Sequence, residues 1–177
     1  MSHTIRRFRP DDREKVVAFV ASLPEHDLLF LSRDIRQPRV VGAWLDAIEA
    51  GLIDSLIAED GDAIVATAAL VHDPLSWSPH VGEVRLLVAS GRRGSGLGSD
   101  LLQGIFMIAE ARGLAKLTAR MTVDQTGSIA LFEGVGFRAE AMLKDQVRGT
   151  DGQSHDLAIL SYDAARVAAR HQAIGIE

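Results

Sequence analysis

The stretch Val81-Gly-Glu-Val-Arg-Leu-Leu-Val-Ala-Ser-Gly-Arg-Arg-Gly-Ser-Gly-Leu-Gly-Ser-Asp-Leu-Leu102 decides the fold. Val81–Ala89 is an apolar run of strand length. Beyond it, Leu97–Arg112 carries Leu101, Leu102, Ile105, Ile108 and Ala109 at helical spacing, and Gly113 ends that helix. Between the two, Gly91, Gly94, Gly96 and Gly98 crowd into one turn with Arg92 and Arg93. Glycines let a backbone approach a ligand closely and take positive φ angles. A helix start exposes unpaired N–H groups and the positive end of a dipole. Strand, glycine turn and helix therefore read as an anion cradle suited to a pyrophosphate, with a plain tight connection as the alternative.

Working outward, Thr4–Arg9 reads as a first strand, and Asp11 and Asp12 as caps of a helix reaching Ser22. Pro38 opens a second helix that ends at Gly51. Leu52–Glu59 and Ala63–His72 flank the turn Asp60-Gly61-Asp62 as two strands, and Asp73–His80 is a loop. After the central unit come a strand at Lys116–Met121, a short helix at Ser128–Val135, and a hairpin of Phe137–Val147 with His155–Tyr162. This order predicts an α/β fold with a mixed sheet rather than a regular βαβ repeat. One domain over residues 1–163 is expected, followed by an Ala-rich helical tail over 164–177.

Composition narrows the function. The chain has 177 residues, 47% hydrophobic and 24% charged, as in ordinary globular domains. No cysteine is present, which excludes disulfides, a thiol nucleophile and a cysteine zinc site and fits a cytoplasmic location. A net charge of −5 gives no basic field for nucleic acid. No apolar run approaches the roughly 20 residues of a membrane span, and no secretory h-region follows the basic N-terminus. The six histidines show no metal-ligand spacing, so no metal is expected. Gly98-Ser99-Asp100 lacks the lysine of a P-loop, and Ser99 breaks the dinucleotide fingerprint GxGxxG.

Arg93-Gly94-Ser95-Gly96-Leu97-Gly98 resembles the Arg/Gln-x-x-Gly-x-Gly/Ala signature of the GCN5-related N-acetyltransferase (GNAT) superfamily. Downstream, Gln125-Thr-Gly-Ser-Ile-Ala-Leu-Phe-Glu-Gly-Val-Gly-Phe137 is similar to that family's Asn-x-x-Ala-x-x-Leu-Tyr-x-x-x-Gly-Phe segment. The resemblance implies a central, mostly antiparallel sheet splayed between its fourth and fifth strands, with flanking helices, and acetyl-CoA as acyl donor. It implies that the backbone of Leu86, Leu87 and Val88 pairs with the pantetheine like an added strand. It also implies that N–H groups of Arg93, Gly94, Ser95, Gly96, Leu97, Gly98 and Ser99 hold the pyrophosphate, that Arg92 or Arg93 faces the phosphates, and that Gln125, Ser128 and Phe132 lie on the donor. Two residues depart from the pattern: Gln125 stands for the usual Asn, and Phe132 for a Tyr credited with protonating the leaving thiolate.

Acetylation of an amine needs a base. Glu83 stands where many family members carry one, and burial among Val81, Val84 and Leu86 would raise its pKa; a solvated strand-end carboxylate is the alternative. A backbone N–H near Val88 would polarise the carbonyl. For the missing acid the candidates are Tyr162, the only tyrosine, then Ser128 and His155. His72 and His80 flank the loop before the central strand. The family's acceptor region corresponds to Glu25–Arg36 and Trp77–His80, which mixes acids with Arg33 and Arg36 and suits a small amine, an amino acid or a peptide N-terminus. A homodimer through Phe137–Tyr162 is compatible with the family. The rival readings are an acyl-CoA sensor without catalysis, favoured by Phe132, and a nucleotide-binding enzyme.

Overall fold

A computed structural model describes residues 3–164; the expected tail, 165–177, lies outside the described residues. Seven strands form one sheet in the order β1-β2-β3-β4-β5-β7-β6. They are β1 (Thr4–Arg7), β2 (Ile53–Asp60), β3 (Ala63–Val71), β4 (Val81–Val88), β5 (Lys116–Thr122), β6 (Arg138–Arg148) and β7 (Ser154–Asp163). Every pairing is antiparallel except β4 with β5. Four helices, α1 (Arg13–Ala21), α2 (Pro38–Glu49), α3 (Leu97–Ala111) and α4 (Thr126–Gly134), flank the sheet.

The helices make two cores, one on each face. Leu97, Leu101, Leu102 and Ile105 of α3 are fully buried against Leu56, Ala58 and Leu70, with Phe132 and Phe137 beside them. Each such side chain contributes about 1.5–3 kcal/mol by leaving water. On the opposite face Val16, Val20, Val41 and Leu45 pack on Ile57 and Leu87. Side chains alternate across the pleat, so neighbours Leu56 and Ile57 serve different cores.

Three local expectations are corrected. Asp12 does not cap α1 through its side chain. Its buried carboxylate instead accepts two 2.7 Å hydrogen bonds from Arg6 and one from the Arg9 N–H. Helix α4 starts at Thr126, ahead of the expected Ser128, with Gln125 as its N-cap. The segment after Pro24 holds an unforeseen 3₁₀ turn, Glu25–Leu28.

Candidate active site

The functional feature of the sheet is a wedge between its two parallel strands. β4 and β5 pair only from Val81–Lys116 to Val84–Ala119. Beyond that point β4 still pairs with β3 as far as Val88, and β5 with β7 as far as Thr122. Each strand is thus held on its outer side and open on its inner side. A cleft of about 880 Å³ occupies the wedge.

The glycine turn closes one end of this cleft. Gly94 and Gly96 have φ of +73° and +85°, which only glycine adopts without strain. That geometry turns the chain sharply out of a 3₁₀ turn, Ser90–Arg92, into α3. The helix begins at Leu97, and its first intrahelical bond runs from the Asp100 N–H to the Gly96 carbonyl. The N–H groups of Leu97, Gly98 and Ser99 therefore have no partner within the helix. Gly98 has a separate reason to be glycine. A Cβ there would stand 2.8 Å from Leu131 Cδ2, so its absence lets α3 seat against α4.

Most of the expected donor-site residues converge on this cleft. Leu86, Leu87 and Val88 line it from β4; Arg92, Arg93, Gly94, Gly96, Gly98 and Ser99 from the turn; and Gln125, Ser128 and Phe132 from α4 and its cap. Two do not face it. Ser95 donates its hydroxyl hydrogen to the Arg92 carbonyl at 2.7 Å, and the Leu97 side chain belongs to the core. Both arginines carry acidic partners: Arg92 pairs with Asp60 and Arg93 with Asp27. Phe132 is buried, its ring edge-on to Phe137 at 5.0 Å.

Glu83 sits between two arginines. It accepts a 2.8 Å bond from Arg85 Nε and 3.1 Å bonds from Arg120 Nη2, which also reaches Ser32 Oγ at 3.1 Å. Burial pulls the Glu83 pKa up, but the hydrogen bond and charge of Arg85, with the charge of Arg120, outweigh it, and the net shift is downward. The expected upward shift is thus corrected: Val81, Val84 and Leu86 signalled burial, whereas the guanidinium on β5 was invisible in the local sequence.

A second cavity of about 270 Å³ lies on the α1–α2 side of the sheet. Arg33, Ile35, Val40, Trp44 and Arg85 are in its wall, and Leu87 lines both cavities. Arg33 makes no ion pair among the described residues, whereas Arg36 is engaged with Asp34 and Glu25. Trp77–His80 contributes nothing to either lining, and Trp77 is fully exposed. Sequence reading missed Trp44, Arg85 and Arg120. The only available signal was the period of β4, which puts Glu83, Arg85 and Leu87 on one face.

Tyr162 lies away from the cleft. Its ring packs on Phe106 at 4.8 Å and Phe137 at 5.8 Å, and it pairs with Leu117, five positions along β7 from the Leu157–Thr122 pair at the open end. That distance, about 17 Å along a strand, sets it in the packing of α3 rather than at the wedge. His72 and His80 line neither cavity. His155, at the start of β7, faces His26.

Comparison with known proteins agrees with this geometry. Residues 25–137 match the acetyltransferase (GNAT) family model. An L-methionine sulfoximine/L-methionine sulfone acetyltransferase of Pseudomonas paraeruginosa is 32% identical over 71% of this chain and 75% of its own length. A GNAT acetyltransferase of Streptococcus pneumoniae superposes with a TM-score of 0.79 at 20% identity, covering 92% of this chain and 99% of that one. A phosphinothricin acetyltransferase of Sinorhizobium meliloti, solved with acetyl-CoA, gives 0.77 at 19% identity over 92% and 89%. The chain belongs to the GNAT family of acetyltransferases, and its reaction is transfer of an acetyl group from acetyl-CoA to an amine.

Proposed function

We propose that the acceptor is a small amine that also carries a carboxylate, an amino acid or a close analogue of one. The observation that carries this reading is the 270 Å³ cavity that shares Leu87 as a wall residue with the cleft in the wedge. Its size suits one small molecule rather than a polypeptide. Arg33 and Arg85 offer guanidinium forks for a carboxylate, and Trp44 and Val40 offer apolar surface for a side chain. The Pseudomonas relative, named for two L-methionine derivatives, supports the same class.

In this reading the N–H groups from Gly94 to Ser99 hold the pyrophosphate, the Arg93 N–H being donated to the Ser90 carbonyl, and the open edge of Leu86, Leu87 and Val88 holds the pantetheine. Glu83, through water, takes a proton from the acceptor ammonium. The freed amine attacks the thioester carbonyl carbon while the Val88 N–H donates to the developing oxyanion. The adduct nitrogen gives its second proton to water, the carbon–sulfur bond breaks, and CoA leaves as a thiolate. Phe132 has no proton to give, so the thiolate takes one from water. The chain works in the cytoplasm as a homodimer; the absence of cysteine and the exposed edge strand β6, with Met142 outward, support that placement.

The test is CoA thiol release with amino acids, their decarboxylated counterparts and a short peptide. A chain without cysteine gives no thiol background. An amino acid is expected to exceed its decarboxylated counterpart in kcat/KM by about tenfold or more, the worth of one bound carboxylate near 1.4 kcal/mol. Equal rates for the two would overturn the reading.

A further inference from the structure

Three metal-ligating side chains from distant parts of the chain meet where the 3₁₀ turn Glu25–Leu28 crosses the ends of β5 and β7. His26 Nε2 is 3.0 Å from Asp124 Oδ2. The rings of His26 and His155 meet edge-on, centroids 5.1 Å apart at 66°. One ligand-capable atom from each of His26, Asp124 and His155 lies within 4.8 Å of the other two. The two histidines are half-buried, which limits the positions their rings can take.

We infer that His26, Asp124 and His155 form a binding site for a divalent transition-metal ion of the zinc class. Two imidazoles and one carboxylate are a donor set for such ions rather than for calcium or magnesium. Ligand atoms about 2.0–2.1 Å from a tetrahedral zinc stand about 3.3 Å from one another. His26 and Asp124 already have that separation, and His155 reaches it by a shift of at most about 1.5 Å, within the range of a ring rotation. Thr122, fully buried at the end of β5, sets its Oγ1 3.5 Å from His26 Nε2 and stands beside the cluster as an outer partner of the metal would. Three protein ligands leave a fourth coordination position, and it opens toward the acyl cleft, because His26 and Asp124 both line that cleft. A bound ion ties the 3₁₀ turn to β5 and β7. No spacing in the sequence announces the site, since its ligands stand at positions 26, 124 and 155.

The experiment is calorimetric titration of the tag-free full chain with zinc chloride in a non-chelating buffer. One saturable site per chain is expected. His155→Ala and Asp124→Asn each weaken it by more than the roughly tenfold lost when an outer partner such as Thr122 is removed by Thr122→Val. His3 stands 3.2 Å from Asp100 and is the competing histidine–carboxylate pair, so His3→Ala is the control and leaves the affinity unchanged. Absence of saturable binding, equal affinity in the parent, His155→Ala and Asp124→Asn, or loss of binding in His3→Ala alone would each overturn the assignment. In those cases His26 and Asp124 are an ordinary ion pair beside a packed histidine.

Discussion

The cleft in the wedge and the smaller cavity proposed for the acceptor share strand β4 but are built by opposite means. The cleft is made largely of main chain: the turn around Gly94 and Gly96, the first N–H groups of α3, and the open inner edge of β4. The pocket is made of side chains that arrive from α2, β3, β4 and the segment around Arg33. Main-chain recognition is indifferent to most side chains and fixes what can be bound to one ligand shape. Side-chain recognition changes with each substitution. One half of such an enzyme therefore serves any acceptor, and the other half chooses it.

The largest expected effect tests the main-chain half. Gly96→Glu puts a carboxylate at the pyrophosphate position and forces a non-glycine residue to a φ of +85°, a strain of about 1–2 kcal/mol. Acetyl-CoA affinity by calorimetry falls by about 100-fold or more, of which tenfold is near 1.4 kcal/mol; unchanged affinity would move the donor site elsewhere. Next is the proposed base on β4. Glu83→Gln lowers kcat by about 10²–10⁴-fold, the usual worth of a positioned base, with acetyl-CoA affinity unaltered. Because Arg85 and Arg120 hold its pKa down, Glu83 stays ionised throughout the neutral range. It loses its charge only as pH falls through a value below the ordinary carboxylate range, so the parent shows no acid limb from Glu83 between about pH 5 and 8. A limb in that interval that vanishes in Glu83→Gln would mean the arginines do not hold it in solution.

A smaller effect belongs to the side-chain half. Arg33→Ala raises the acceptor KM by about tenfold, the value of one lost carboxylate contact, while the acetyl-CoA KM stays put. If both constants rise together, the two cavities are not separate in function. The smallest change is expected from Phe132→Tyr. A phenol there restores a proton donor beside the cleft and raises kcat a few-fold at most, because CoA thiolate is already a fair leaving group. The single-turnover rate of CoA release reads that gain directly.

The same contrast explains what could be read from the residues alone. The cradle was legible because its parts are contiguous: strand, four glycines and helix lie in one stretch, and each imposes a backbone geometry. The order of the strands was legible for the same reason, as periodicity and turn residues act locally. The place of Glu83 on β4 was legible, but the balance of its neighbours was not: Arg85 stands two residues away on the same face and Arg120 comes from another strand, and together they outweigh burial. Tyr162 was chosen for its chemistry, and only the register of β7 against β5 shows that it points into packing around Phe106 and Phe137. Trp44 lies within the helix that Pro38 was read as opening, without a role of its own. That α2 also walls a cavity depends on how far the helix stands off β3.

The early end of the β4–β5 ladder leaves this sheet with two unmatched inner edges, which the proposed donor would complete. A strand with an unmatched side breathes, and its amides trade hydrogens with solvent more readily than those of a strand matched on both sides. The Arg85–Val88 segment is thus expected to be a soft spot in the middle of an otherwise interlocked barrier, between two cores that belong to different helix layers. With acetyl-CoA bound there as proposed, its concentration would act on this protein's resistance to unfolding as well as on its rate.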